Sequence, residues 1–337
     1  MKTHAPALQR ILVPLDGSTL AEEALATAVT LARRSGAEVH LVTVRPPVIP
    51  ARAQFGIGED GVPTPEGTGE DVECYHALMT ARLARAHGVR VVTAILIGDP
   101  AKELAEYAEA RAIQLVVMTT HGRGGFGRFW LGSVANRLVR LVEVPVLLRR
   151  HSARCADGGF ERILVAVDGT PGAERALRRA IELGSLMPTT HYTLVRVVEP
   201  PSPLLTPIGA HPSFSDDQSL NRLMAAAAND LAIITGRMHD CGISVEAHVL
   251  VGDVADLLVA FSERCGSQLI AVGTRAARGL DRLILGSVAD TVVKNAGQPV
   301  LVVPPKRSDR PSRARAAVSA TAASSQPTTR SCRHESV

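Results

Sequence analysis

Short apolar runs alternate with longer amphipathic stretches along most of the chain. The runs are rich in Val, Ile and Leu, and nearly continuous apolar character over about four to eight residues is typical of buried parallel strands. Strands that alternate with helices in this way predict a doubly wound α/β sandwich. In the first half, the predicted strands are 11–15, 39–44, 89–96, 115–118 and 146–148, and the predicted helices are 19–35, 70–87, 100–112 and 133–143.

The pattern occurs twice, which indicates a duplicated domain. Arg10-Ile-Leu-Val-Pro-Leu-Asp-Gly-Ser18 returns as Arg162-Ile-Leu-Val-Ala-Val-Asp-Gly-Thr170, and Leu131-Gly-Ser-Val-Ala135 returns as Leu285-Gly-Ser-Val-Ala289. A unit of about 150 residues is far longer than a solenoid repeat, so each copy is a domain. We place the first domain (repeat one) at 1–150, the second (repeat two) at 160–305, and a tail at 306–337.

Two helices in this pattern carry start signals. Thr19 followed by Glu22 fits a capping box. Thr170 followed by Pro171 fits an N-cap with proline at the first helical position. The second signal comes directly after an Asp-Gly pair and the first one residue later, so a turn is expected before the helix in each repeat.

The composition narrows the class of protein. No apolar run approaches the roughly 20 residues of a membrane span, so we expect no membrane association. Five cysteines form no C-x-x-C pair, which favours a reducing cytoplasm. Aromatic residues are only 3% of the chain, which argues against a stacking surface for single-stranded nucleic acid.

The net charge of +4 is concentrated in the tail. Residues 306–337 carry seven Lys or Arg against Asp309 and Glu335, whereas the rest of the chain is nearly neutral. The tail has almost no large apolar residue and cannot bury enough surface to fold. We interpret it as a disordered basic tail rather than a specific nucleic-acid-binding arm.

One candidate site segment is Asp16-Gly17-Ser18, with its copy Asp168-Gly169-Thr170, at the end of the first strand of each repeat. Ligands of open α/β sheets bind at this edge. A carboxylate there can accept hydrogen bonds from sugar hydroxyls or an amino group, although it would repel a bare polyphosphate. The alternative is a turn-forming Asp-Gly pair before a capped helix. The dipeptide alone leaves both interpretations open.

The second candidate segment is the glycine-rich loop after the fourth strand, residues 118–133. Glycines allow close backbone approach, and successive N–H groups can form an anion-binding nest. Gly132-Ser133 then begins a helix, whose N-terminus favours anions. The Ser133 hydroxyl can either cap that helix or donate to a phosphate, and Arg123 adds positive charge. The loop therefore predicts a phosphate site.

Two other motifs in this region are rejected. Gly122 to Gly127 matches G-x-G-x-x-G, but it follows the fourth strand rather than the first, and repeat two lacks it. Asp16, His121 and Ser133 could assemble as a hydrolase triad, but Ser133 is not in a G-x-S-x-G elbow and Arg275 replaces the histidine in repeat two. No cluster has metal-ligand spacing.

The chain up to about residue 305 resembles two tandem copies of the universal stress protein domain. The resemblance rests on Ile11-Leu-Val-Pro-Leu-Asp-Gly-Ser18, on Gly98-Asp99-Pro100, on the loop after the fourth strand and on the closing apolar strands. Members that bind ATP share G-x-x-G, nine residues, then G-[ST]. The resemblance implies tandem adenine nucleotide alpha hydrolase-like (Rossmann-like) domains. It also implies an internal pseudo-dimer, in which strands 145–149 and 299–303 pair.

The resemblance further implies a ligand-binding set in each repeat. Asp16 and Asp168 would face the adenosine, Val44 and Val197 would flank the base, and the glycine loop would hold the phosphates. The candidates of repeat one are Pro14, Asp16, Val44, Met118, Thr119, Gly122, Arg123, Gly132, Ser133 and Val134. The candidates of repeat two are Asp168, Val197, Gly273, Gly286, Ser287 and Val288.

Each repeat departs once from the ATP motif. Thr119 replaces the first glycine in repeat one, and Ala276 replaces the second glycine in repeat two. Thr119 ends a strand, where a β-branched residue is acceptable unless close backbone approach is needed there. The methyl group of Ala276 would intrude on the phosphate nest. We therefore predict that repeat one binds nucleotide better than repeat two.

The resulting expectation is a cytoplasmic stress-response protein that binds ATP, with or without Mg²⁺, or another adenine nucleotide, and acts as a sensor or regulator. We expect at most weak ATP hydrolysis, because no general base is evident. Further homodimerisation and an unidentified protein partner are compatible with the sequence. The alternative is a protein–protein adaptor that uses the duplicated fold as a scaffold and binds no nucleotide.

Overall fold

The computed structural model describes residues 8–47, 69–120, 132–150, 159–200, 215–274 and 285–305. The elements of repeat one are β1 Arg10–Pro14, α1 Thr19–Ser35, β2 Glu38–Arg45, α2 Gly69–His87, β3 Val91–Ile97, α3 Pro100–Ala110, β4 Leu115–Thr120, α4 Ser133–Leu141 and β5 Val146–Arg150. Those of repeat two are β6 Arg162–Ala166, α5 Pro171–Gly184, β7 His191–Val198, α6 Ser215–Asp240, β8 Ser244–Val251, α7 Val254–Arg264, β9 Leu269–Gly273, α8 Ser287–Asn295 and β10 Val300–Val303.

All ten strands form one sheet, in the order β3-β2-β1-β4-β5-β10-β9-β6-β7-β8. The strands of each repeat are parallel, and helices connect them, so the predicted doubly wound α/β fold is confirmed. The two repeats meet where β5 and β10 pair antiparallel, with Leu147 opposite Leu301. This pairing confirms the predicted internal pseudo-dimer.

Two apolar cores cover the two faces of the sheet. One contains buried residues of α1, α2, α5 and α6, and the other contains buried residues of α3, α4, α7 and α8. Side chains along β1 point alternately to the two faces of the sheet, so Ile11 and Val13 lie in the first core and Leu12 lies in the second. Each core includes residues of both repeats, so the pseudo-dimer shares its hydrophobic layers.

The structure corrects several predicted ends. Helix α1 is capped by Ser18, whose hydroxyl accepts a hydrogen bond from the Ala21 N–H, so the capping box predicted at Thr19 is wrong. The predicted cap at Thr170 is confirmed. Strand β3 begins at Val91 rather than at residue 89. Helix α3 ends at Ala110, before the prediction, because Ala112 adopts a left-handed φ of 47°.

Candidate functional site

The predicted residues of repeat two lie together around one cavity of about 340 Å³. It opens at the carboxyl ends of β6, β7 and β9 and at the N-terminus of α8. Apolar strand ends and the first turns of α7 and α8 form its walls. This is the edge at which open α/β sheets bind ligands. The predicted residues that line the cavity are Asp168, Val197, Gly273, Gly286, Ser287 and Val288.

The described candidates of repeat one occupy the same edge of their half of the sheet. Val44 and Val134 are partly buried against the core that also contains the buried Met118. The other candidates are Pro14 at the end of β1, the exposed Asp16 just beyond it, Thr119 near the end of β4, and Gly132 and Ser133 at the start of α4. The candidates Gly122 and Arg123, like Ala276 of repeat two, lie outside the described residues.

The Asp-Gly pair makes the same turn in both repeats. Asp16 Oδ1 accepts hydrogen bonds from the Ser18 N–H, at 3.0 Å, and from the Ser18 hydroxyl, at 2.6 Å. Asp168 Oδ1 accepts the equivalent bonds from Thr170, at 2.9 and 2.5 Å. The turn thereby orients the hydroxyl that caps the following helix. It uses one carboxylate oxygen of an exposed side chain, so the turn does not exclude a ligand contact at Asp16.

Helices α4 and α8 differ from their neighbours in how they begin. Side chains cap the other four helices whose N-caps the structure describes, namely α1, α3, α5 and α7. The N-caps of α4 and α8 are Gly132 and Gly286, which have no side chain to accept a bond from the first turn. First-turn N–H groups at the positive end of a helix dipole form an anion site. Ser133 is the first residue of α4, so it does not serve as its N-cap.

Gly273 is explained by packing inside the protein. A Cβ added there would overlap the Gly172 carbonyl group and lie 2.8 Å from the Ala173 nitrogen. The start of α5 therefore rests directly on the end of β9. In repeat one the corresponding residues are Thr119 and Leu20, so both members of the close contact have changed together. Repeat one therefore has no glycine on either side of this contact.

The sequence analysis missed one carboxylate of the cavity. Glu199 follows β7 and lines the cavity together with Asp168. No Lys or Arg is among the described residues that line it. Pro46 occupies the corresponding position after β2, so this second acidic group is peculiar to repeat two. The only sequence signal for Glu199 as a site residue was its position just beyond the end of β7, two residues after the predicted Val197.

An ion pair holds the start of α4 in repeat one. Asp99 caps α3 by accepting from the Lys102 N–H, and its other oxygen lies 2.6 Å from Arg137 Nη1 on α4. The Arg137 guanidinium, together with the Lys102 N–H, holds the pKa of the Asp99 carboxyl below its usual range. The pair links the two helices that flank the candidate phosphate site. Thr291 occupies the corresponding position of α8, so repeat two lacks this link.

The other described parts of the structure provide weaker candidates for a functional site. A larger cavity of about 500 Å³ lies along α1, between α2 and Phe160, and none of the predicted binding residues lines it. Among the described residues, no cluster of His, Cys, Asp or Glu is arranged to hold a metal ion. None of the described helices combines the length and the apolar character that a membrane span requires.

Comparison with known proteins agrees with this architecture. A sequence profile of the universal stress protein family matches residues 7–150 and again residues 159–304. A universal stress protein of Mycolicibacterium smegmatis is 27% identical over 310 residues, which cover 88% of this chain and 97% of that protein. One from Methanocaldococcus jannaschii is 34% identical over 145 residues, which cover 42% of this chain and 81% of that protein.

The solved structures agree at the level of the fold. The crystal structure of a universal stress protein from Archaeoglobus fulgidus aligns with a TM-score of 0.65 at 20% identity. The alignment covers 88% of this chain and 98% of that one. The family profile matches the chain twice, and a relative from the same family aligns with most of its length. The fold agrees with that of a solved family member. The chain therefore belongs to the universal stress protein family.

Proposed function

We propose that this protein binds an adenine nucleotide, ATP with Mg²⁺, at the carboxyl edge of the sheet, and that it acts as a sensor or regulator in a stress response. The observation that carries the proposal is the pair of glycine-capped helices. Gly132 and Gly286 leave the first turns of α4 and α8 without a side-chain cap, and in repeat two Gly286 lines a cavity together with apolar strand ends. An apolar pocket beside an anion site suits a flat base joined to phosphates.

The resemblance to ATP-binding members of the family implies a role for each group. The base packs against the valine at the end of the second strand, Val44 or Val197. The ribose hydroxyls donate to the aspartate of the Asp-Gly turn, and the phosphates accept from the first-turn N–H groups. When bound with the nucleotide, Mg²⁺ would neutralise part of the charge of its phosphates.

Repeat one is the better of the two proposed sites for two reasons. The loss of its first motif glycine, at Thr119, is matched by Leu20 in place of Gly172, so it reflects packing between strand and helix. Repeat two, in contrast, adds Glu199 to a cavity that already contains Asp168. A second carboxylate raises the electrostatic cost of binding a polyanion.

Calorimetric titration of the full chain with ATP and Mg²⁺ tests the proposal. We expect one site of micromolar affinity per chain, as is ordinary for a small ligand held by a pocket of this size. Two sites of equal affinity would contradict the ranking of the repeats and leave nucleotide binding intact. No heat and no thermal shift with ATP, ADP or AMP would overturn the proposal and favour the adaptor function.

If the charge of Glu199 weakens nucleotide binding in repeat two, then its removal should strengthen that binding. Removal of one negative charge by Glu199→Gln is expected to raise the affinity of repeat two for ATP about fivefold, which corresponds to about 1 kcal/mol, the interaction of two unit charges about 4 Å apart in water. The matched control is Pro46→Glu, which places the charge in repeat one and should lower the affinity there by a similar factor. Both are measured by the same titration. Unchanged affinity in both variants would show that the charge at this position does not act on the ligand.

A further inference from the structure

The ten-stranded sheet ends in two strands, β3 and β8, that have only one neighbour in the part of the chain that the structure describes. The two edges differ in chemistry. Strand β3 reads VVTAILI, without a charge or a proline, and its last residue, Ile97, is 65% exposed. Strand β8 carries Glu246 and His248, which lie 3.5 Å apart. Charged residues on an edge strand hinder pairing with other chains, and of these two strands only β8 carries them.

The backbone of β3 shows which groups remain available. The Arg90 carbonyl accepts from the Val39 N–H of β2, and the Gly98 N–H donates to the Arg45 carbonyl of β2. Peptide groups alternate in direction along a strand, so the even-numbered residues between Arg90 and Gly98 point toward β2. The odd-numbered residues, Val91 to Ile97, present their N–H and carbonyl groups on the open side.

We propose that β3 pairs antiparallel with β3 of a second copy of this chain, across a two-fold axis that lies between the Ala94 residues of the two copies. An axis perpendicular to the sheet preserves its two faces, so residues of like parity stand opposite each other. Val91 then faces Ile97, and Thr93 faces Ile95, as hydrogen-bonded pairs that use the outward backbone groups. Val92 faces Leu96 between them.

The occupant is a second copy because this register makes the strand complementary to itself. Each cross-strand pair contains two apolar residues or an apolar residue and Thr93, and the exposed Ile97 is covered by Val91. The exposed Arg90 of one copy comes beside Gly98 and Asp99 of the other, so a basic and an acidic residue meet at both ends, each also in an ion pair within its own chain.

The molecule already contains a junction of this kind. Strands β5 and β10, which are apolar at their contact, pair antiparallel and join the two repeats into one sheet. The β3 contact would continue the same sheet into the second copy. It would also place the two copies of repeat one side by side.

Sedimentation velocity of the full chain between about 1 and 100 μM tests the proposal with a matched pair of variants. The wild type is expected to sediment as a dimer at the upper concentrations. Ile97→Lys places a charge opposite Val91 at both ends of the contact and should raise the dimer dissociation constant about a hundredfold or more. Val251→Lys makes the same change at the equivalent exposed position of β8 and should leave the dimer intact.

Amide hydrogen exchange distinguishes this contact from any other dimer interface. The amides of Thr93 and Ile95 should be protected only at concentrations at which the dimer forms, whereas those of Ala94 and Leu96 are protected by β2 at every concentration. A wild type that stays monomeric at 100 μM would overturn the proposal. So would a dimer that Val251→Lys disrupts and Ile97→Lys does not, or one that leaves Thr93 and Ile95 exchanging freely.

Discussion

Gly273→Thr is expected to destabilise the protein by about 3 kcal/mol, the upper part of the usual range for forcing extra atoms into a packed core. The reason is that any Cβ at this position overlaps the Gly172 carbonyl group, which is backbone and cannot rotate away. The start of α5 must therefore lift from β9. The free energy of unfolding in urea, followed by circular dichroism, measures the effect.

The duplication provides the controls for this substitution. Thr119→Gly makes the reverse change in repeat one and should cost about 1 kcal/mol or less, because it only adds backbone freedom to a strand. Thr119→Val should be neutral or stabilising, since the Thr119 hydroxyl is buried without a hydrogen-bond partner. If Gly273→Thr and Thr119→Gly proved equally mild, the close contact would not be the reason for the glycine.

A double substitution tests whether the two positions are coupled. Gly172→Leu combined with Gly273→Thr recreates in repeat two the pair found at Leu20 and Thr119. We expect the double variant to lose less stability than the sum of the single variants, because residues in direct contact are not additive. Strict additivity would show that the two repeats reached their packing independently.

The general architecture could be predicted because it follows from local signals that agree. Apolar runs bounded by polar turns placed the strands of repeat one, with differences of a few residues at their ends. The resemblance to the universal stress protein family implied that strands 145–149 and 299–303 pair, and the structure confirms this pairing. The register, with Leu147 opposite Leu301, came only from the structure.

The details that escaped prediction depend on neighbours distant in sequence. The role of Gly273 requires knowledge that Gly172 lies against it, about 100 residues earlier in the chain. Ser18 rather than Thr19 caps α1, because the Ser18 hydroxyl donates to Asp16 and is thereby held where it accepts from the Ala21 N–H. Glu199 carries no motif and became a candidate only when the cavity brought it to Asp168.

Gly132→Asp is expected to weaken ATP binding in repeat one about a hundredfold while it stabilises the fold. Gly132 has φ of −51° and ψ of 145°, angles that any residue adopts, and aspartate is among the best N-cap residues. Its carboxylate would accept from the first turn of α4 and gain about 1 kcal/mol of stability. The same carboxylate would occupy the anion site, so the affinity for ATP should fall about a hundredfold.

Two variants separate charge from occupancy at this site. Gly132→Ser offers a neutral cap and should lower the affinity less than aspartate does, with a smaller gain in melting temperature because serine carries no charge to interact with the helix dipole. Gly286→Asp makes the charged change in repeat two, where Gly286 has φ of 60° and a side chain is strained, so stability should fall there. A thermal melt and an ATP titration of each variant suffice. If Gly132→Asp raised the melting temperature and left ATP affinity unchanged, the nucleotide phosphates would not bind at α4.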